Sequence, residues 1–299
     1  MKSLPPKNLF ILFLTALIWG TAFVAQSVGM DHIGPFTFNA VRSYVGGIAL
    51  IPVILFFNSR KSEEQRRTER ANRKTLILGG ICCGIALGVA SLFQQVGIQY
   101  TTVGKAGFIT ALYIVIVPLL GIFFHKKVGL KLWVSVVIAI AGLYLLCMTG
   151  SFSLQWGDFL ILICAFCFSG HILVIDYFSP KVDRVQMSCI QFFTAAVLST
   201  VAMLFVEGVP AVQDILLSWI PVLYCGVMSS GVAYTLQIIG QKGVNPTIAS
   251  LVLSLESVIA VLAGWIILGQ SMSPREIMGC VLMFGAIILA QLPDKKNTN

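Results

Sequence analysis

Glu256 is the one ionisable residue in SLVLSLESVIAVLAGWIILG, an otherwise apolar run over residues 250–269. Twenty residues of helix extend about 30 Å, enough to cross the hydrocarbon core of a bilayer. A carboxylate at that depth costs at least ~2.5 kcal/mol, so some specific chemistry has to offset it. Three roles fit: a proton relay, a counterion for a cationic group, or a protonated acid hydrogen-bonded to a neighbouring helix. Arg42, inside the apolar run over 35–57, is the second charge of this kind. Its planar fork suits the carboxylate of a bound molecule. It suits equally a lock between helices through a carbonyl or an acid, and its long stem allows snorkelling to the surface. Locking is the favoured reading.

Uncharged polar groups occupy other runs. Ser91, Gln94 and Gln95 lie in residues 76–98, and Tyr234 and Gln237 in residues 216–240. Polar side chains within a membrane bond across helices for about 0.6 kcal/mol each, so packing accounts for them as well as cavity lining does. Trp19, Phe23 and Gln26 share one helical face at i, i+4, i+7. Trp19 fits either an aromatic wall for an apolar or cationic molecule or a lipid-facing surface. His171 stands mid-run and has the chemistry of a proton relay, although a neutral, hydrogen-bonded histidine is the favoured reading. Cys164 and Cys167 form a CxxC in the middle of an apolar run. There a thiolate is expensive and zinc lacks further ligands, so they read as small packing residues and no cofactor is expected.

The elements that carry these residues are written in the composition. Of 299 residues, 57% are hydrophobic and 11% charged, with a mean hydropathy of +0.91. A soluble domain holds about 25% charged residues, so the chain is integral to a membrane throughout. Ten apolar runs cover 8–28, 35–57, 76–98, 103–124, 130–148, 158–178, 185–206, 216–240, 246–268 and 274–292. Pro246 and Pro274 suit first helical positions, and Ser273 with Glu276 has capping-box spacing. The net charge of +8 is not a nucleic-acid footprint, because seven of the twenty Lys and Arg sit in one mixed-sign segment over 58–75. With the N-terminus inside, seventeen cations fall in inner segments and only Lys105 and Arg275 in outer loops. That bias predicts ten transmembrane helices with both termini cytoplasmic.

A shift of 143 residues aligns 82–146 with 225–289 without a gap, with 14 of 65 positions identical. Matched pairs include Gly88 with Gly231, Gln94 with Gln237, Gly97 with Gly240 and Gly121 with Gly264. The same shift relates Ser91 to Tyr234 and Tyr113 to Glu256. A five-helix unit is odd, so the second copy inserts upside down. The expected fold is therefore all-α, as two inverted five-helix repeats over 1–150 and 151–299 that meet near Ser151. In such folds the substrate site lies at midplane between the halves, and Tyr113 and Glu256 are expected at similar depth. The ladder Gly80, Gly84, Gly88 reads as close helix packing.

Ten helices, this repeat, TALIWGTAFVAQ in the first run, FTFNAVRSYVGG in the second and ASLVLSLESVIAVLAGWIILGQ in the ninth together resemble the drug/metabolite transporter superfamily, EamA type. The resemblance covers essentially the whole chain. It implies a secondary carrier of small metabolites or drug-like molecules, most often amino acids and related compounds, exporting them across a bacterial-type inner membrane. Many members carry proline after the ninth-helix glutamate, where this chain has Ser257. In the fourth run Ile114 takes the equivalent place, with Pro118 four residues on. The kink that the resemblance implies therefore lacks its proline at the ninth glutamate and is displaced in the fourth helix. No Gly-rich loop with Lys-Ser/Thr is present, which argues against ATP hydrolysis by this chain. Three separated histidines give no catalytic cluster for a lipid-modifying enzyme, and isolated polar residues give no ring for a channel. The expected partners are a small-molecule substrate and the lipid bilayer, with protons as coupling ion and a homodimer left open.

Overall fold

The computed structural model describes residues 5–101, 103–123, 129–147, 155–268 and 273–292, and among them all regular structure is helical. The elements are α1 (Pro6–Gly29), α2 (Pro35–Ser59), α3 (Glu63–Ala71), α4 (Arg73–Gln99), α5 (Val103–Ala111), α6 (Tyr113–Phe123), α7 (Leu130–Cys147), α8 (Trp156–Phe178) and α9 (Arg184–Val206). There follow α10 (Val212–Leu217), α11 (Trp219–Leu223), a π-helical segment (Tyr224–Tyr234), α12 (Thr235–Gln241), α13 (Pro246–Leu253), α14 (Leu255–Leu268) and α15 (Pro274–Gln291). Among the described residues, eight helical stretches are long and apolar enough to cross a membrane, so the chain is a multi-pass membrane protein. The expected junction near Ser151 and the side chain of Lys105 lie outside the described residues.

Local chemistry sets the helix starts. Proline opens α1, α2, α13 and α15, where its missing N–H costs nothing. The Ser273 hydroxyl accepts from the Glu276 N–H, and Glu276 accepts in return from the Ser273 N–H, the reciprocal cap anticipated from their spacing. At the α2 start, Glu207 from the end of α9 accepts from the Phe36 and Thr37 N–H groups, each at 2.8 Å. The hydrophilic segment over 58–75 is more ordered than a plain loop, since α3 lies within it. Lys61 ties that helix to α9 by pairing with Glu69 at 2.5 Å and Asp183 at 2.9 Å. Partial burial pulls the Lys61 ammonium down, but the two carboxylates outweigh it and its pKa stands above the ordinary lysine value.

Two spans are broken, and this corrects the kink expectation. The fourth breaks at Leu112, between α5 and α6, and the ninth at Ser254, between α13 and α14. Neither break has a proline at it, and the two lie within one residue of repeat-equivalent positions. Hydroxyls take the place of proline in the ninth span. Ser250 donates to Thr247 O at 2.9 Å and Ser254 to Leu251 O at 2.7 Å, bonds that compete with the helical ladder. Ser257 donates across to Gly107 O on α5 at 2.9 Å. Proline would have lacked that contact.

Helix α4 packs between α8 and α9, and α2 packs on α9 and the π segment. α1 packs on α14, α12 and the π segment, and α7 on α15. The broken spans lie innermost: 89% of the Pro246–Ala263 window is buried, against 33% for Pro35–Ser59, whose outer face is left to lipid. Apolar helices in lipid gain little by hiding from their surroundings, so close backbone approach has to hold them together. The glycine ladder supplies it on α4. A Cβ on Gly80 would lie 2.6 Å from Ile190 Cβ, and one on Gly84 2.5 Å from Thr194 Cβ and 2.6 Å from Gln191 O, both on α9. Gly84→Leu is accordingly expected to destabilise the fold by about 1–3 kcal/mol through overpacking, lowering the thermal midpoint in detergent by several degrees. Gly285→Ala, where a Cβ meets nothing within 4 Å, serves as the neutral control. Equal midpoints for the two variants would show that the α4–α9 contact is not tight.

Candidate functional site

Glu256 is the second residue of α14 and Tyr113 the first of α6, so both stand where a broken span restarts. A restarted helix directs free N–H groups and the positive end of its dipole at that point, which suits an acid on α14. The Tyr113 hydroxyl donates to Glu256 Oε1 at 3.0 Å. Glu256 is 5% exposed, and α1 closes over it. That approach depends on Gly20, where a Cβ would lie 2.6 Å from the Glu256 carbonyl oxygen and 2.5 Å from Ile259 Cβ. The small residue after Trp19 therefore brings the indole to the acid's side of the protein.

These groups border an internal cavity that encloses about 470 Å³ not filled by atoms, its narrow parts and mouth included. It is tight enough that only a few water-sized spheres fit at once. Glu256, Tyr113, Gln94, Gln237, Trp19, Tyr234 and Arg42 all line it. The aromatic wall is Trp19 on Tyr234, ring centres 4.5 Å apart, with Phe23 and Phe168 beside it. Two polar atoms there have no hydrogen-bond partner among the described residues: Trp19 Nε1, a donor, and Gln237 Oε1, an acceptor. Gln94 Nε2 donates to Thr110 Oγ1 at 3.3 Å.

Arg42 enters from α2 and is 4% exposed, so it does not snorkel. Its Nε donates to Asn39 Oδ1 at 2.8 Å and its Nη1 to Gln26 Oε1 at 3.2 Å. Asn39 in turn donates to Ser91 O, and Gln95 donates to Gln26 O. The guanidinium thus joins α1, α2 and α4, and among the described residues it pairs with no carboxylate. One cavity therefore holds an acid bonded to a phenol and a cation that pairs with no carboxylate among the described residues. Groups of both signs of charge therefore border one space.

Two of the sequence candidates stand back from the lining. Ser91 supplies its carbonyl to Asn39 Nδ2 at 2.9 Å. His171 is fully buried behind Tyr234, ring centres 5.9 Å apart, with Nε2 against Gln191 Oε1 at 3.1 Å. Sequence reasoning missed Thr110, Ser229 and the wall residues Phe168 and Ile172. A signal for some of them existed. The lining contains the pairs Gln94 and Gln237, Thr110 and Leu253, and Tyr113 and Glu256, each 143 positions apart. It also contains Trp19 and Phe168, and Phe23 and Ile172, each 149 apart.

The cavity thus lies at the restart of two broken spans and is bordered by residues from both halves of the sequence. The EamA-like transporter family matches residues 7–148 and 155–292. The chain belongs to that family. It is a transporter and not an enzyme. An uncharacterized transporter from Archaeoglobus fulgidus is 29% identical over 282 residues, covering 94% of this chain and 84% of that protein. The Escherichia coli inner membrane transporter YedA is 22% identical, covering 94% and 89%. The S-adenosylmethionine/S-adenosylhomocysteine transporter of Chlamydia muridarum is 23% identical, covering 93% and 92%. A crystal structure at 18% identity shares the fold with a TM-score of 0.79 over 98% of both chains.

Arg42→Met leaves Asn39 Oδ1 and Gln26 Oε1 without their donor, each loss costing about 1–3 kcal/mol. The variant is expected to unfold at a clearly lower temperature in detergent. A midpoint equal to the parent's would remove the helix-locking role from Arg42.

Proposed function

We propose that this transporter is an alternating-access secondary carrier of ten spans in two inverted halves, 1–150 and 151–299. The observation that carries the reading is the meeting of Tyr113 and Glu256. The two residues are related by the 143-residue repeat, and each begins the second part of a broken span. Helix packing supports the inverted arrangement, because contacts exchange between halves. α1 packs on the π segment and α12 as α8 packs on α4, and α2 packs on the π segment as α9 packs on α4. The shorter apolar helix α7 and its partner α15 complete the count of ten.

The substrate of this reading is a small metabolite with a cationic group, amino-acid-like or related. Its amine or other cation replaces the phenol or a proton at Glu256, its apolar part lies on Trp19 and Tyr234, and any carboxylate faces Arg42. The S-adenosylmethionine transporter among the relatives moves a molecule of that description. Glu256 holds either a proton or the substrate's cation, and this competition couples export to proton entry across the inner membrane. The narrow cavity corresponds to an occluded state, and opening requires one half to rock against the other. Gln94 and Gln237 contribute polar contacts from the two halves.

Glu256→Gln keeps the hydrogen-bonding shape and removes the titratable charge. In proteoliposomes it is expected to abolish uphill transport while leaving the folded protein intact. An unchanged accumulation ratio would remove Glu256 from the coupling step. The orientation has its own test: single cysteines introduced in the 58–75 segment should react only from inside the cell, and one at Arg275 only from outside. Labelling of the 58–75 segment from the periplasm would overturn the topology.

A further inference from the structure

A second cavity, of about 920 Å³ by the same measure, lies between α3, the end of α2 and the starts of α4 and α9. Three arginines border it, Arg66 and Arg70 from α3 and Arg73 from α4. Arg66 is fixed by donating from Nη2 to Asn58 O at 3.0 Å and from Nε to Lys61 O at 3.4 Å. Arg70 and Arg73 have no hydrogen bond or ion pair among the described residues. The acid on the cavity wall, Glu69, is already paired with Lys61. Uncompensated positive charge therefore faces the space.

The rest of the wall is aliphatic, with Leu76, Ile77 and Ile190. It continues along α4 as Ile77, Ile81 and Ile85, one helical turn apart and 41%, 38% and 50% exposed. The apolar length of α2, α4 and α9 places this end of the bundle at a membrane face whichever way the chain is oriented. The cavity thus offers guanidinium forks at the headgroup level and an exposed isoleucine track descending into the hydrocarbon. Guanidinium binds phosphate bidentately, and basic pockets between helices at a membrane face take anionic headgroups. From this juxtaposition we propose that the cavity is a binding site for an anionic phospholipid, with the phosphodiester on Arg70 and Arg73 and one acyl chain along Ile77, Ile81 and Ile85. Free phosphate satisfies the arginines but leaves the isoleucine track bare, so the lipid is the favoured source.

The test uses the purified full-length chain in detergent, supplemented with phosphatidylglycerol, phosphatidylcholine or inorganic phosphate, and read by thermal unfolding and native mass spectrometry. Phosphatidylglycerol is expected to raise the midpoint by several degrees and to remain as a bound adduct. Phosphatidylcholine and phosphate are expected to do neither. The double variant Arg70→Gln, Arg73→Gln should lose the shift and the adduct while keeping the parent's midpoint in phosphatidylcholine. If that pair unfolds early, Arg70→Gln alone should show the same loss in part. Equal shifts with both lipids, a shift reproduced by phosphate, or a phosphatidylglycerol shift that survives substitution would each overturn the proposal.

Discussion

A carboxyl group held away from water has to find its partners inside the protein, and the centre of this molecule is organised around that requirement. Glu256 finds a phenol, a helix start and a close backbone neighbour. Each has a structural precondition. The phenol arrives because the fourth span breaks at Leu112 and restarts at Tyr113. The helix start exists because serine hydroxyls interrupt the ninth span at Ser254. The neighbour, α1, comes close because residue 20 has no side chain. A bulkier residue there would separate α1 from α14 and move the indole of Trp19 with it.

Around that centre, two kinds of contact divide the work. Glycines set distance, as along α4, where Gly80 and Gly84 leave room only for the α9 side chains that meet them. Polar chains set orientation, as in the run from Asn39 through Arg42 to Gln26 and Gln95, which links α1, α2 and α4. Neither would suffice alone in lipid. Dispersion between smooth helices tolerates sliding, whereas hydrogen bonds between amides fix rotation and depth at modest energy.

Most of the fold was legible in the sequence because its signals are local or periodic. Apolar runs bounded by proline and charge marked the spans, and Ser273 with Glu276 marked a helix start. The 143-residue offset joined Tyr113 to Glu256 before any coordinates did. What escaped has a physical reason in each case. Broken helices usually announce themselves by proline, and here hydroxyls at Ser250 and Ser254 do the work while Pro118 sits inside α6. Whether a mid-span residue faces the cavity or stands behind it depends on helix rotation, so His171 could not be separated from Tyr234 by sequence. Thr110 was overlooked because a lone threonine in an apolar run reads as packing.

The π segment over Tyr224–Tyr234 had no sequence signal at all, since GVMSSG contains no breaker that distinguishes it from α. Its repeat counterpart in α4 is regular α-helix, yet the alignment between the two crosses it without a gap. A π turn takes up more residues per turn than an α turn, so equal residue counts give walls of unequal length on the two sides of the cavity. The two aligned segments therefore cannot be exchanged by exact symmetry. If the transporter rocks as proposed, such a built-in inequality would make its two facing states differ in free energy even with no ion or substrate present.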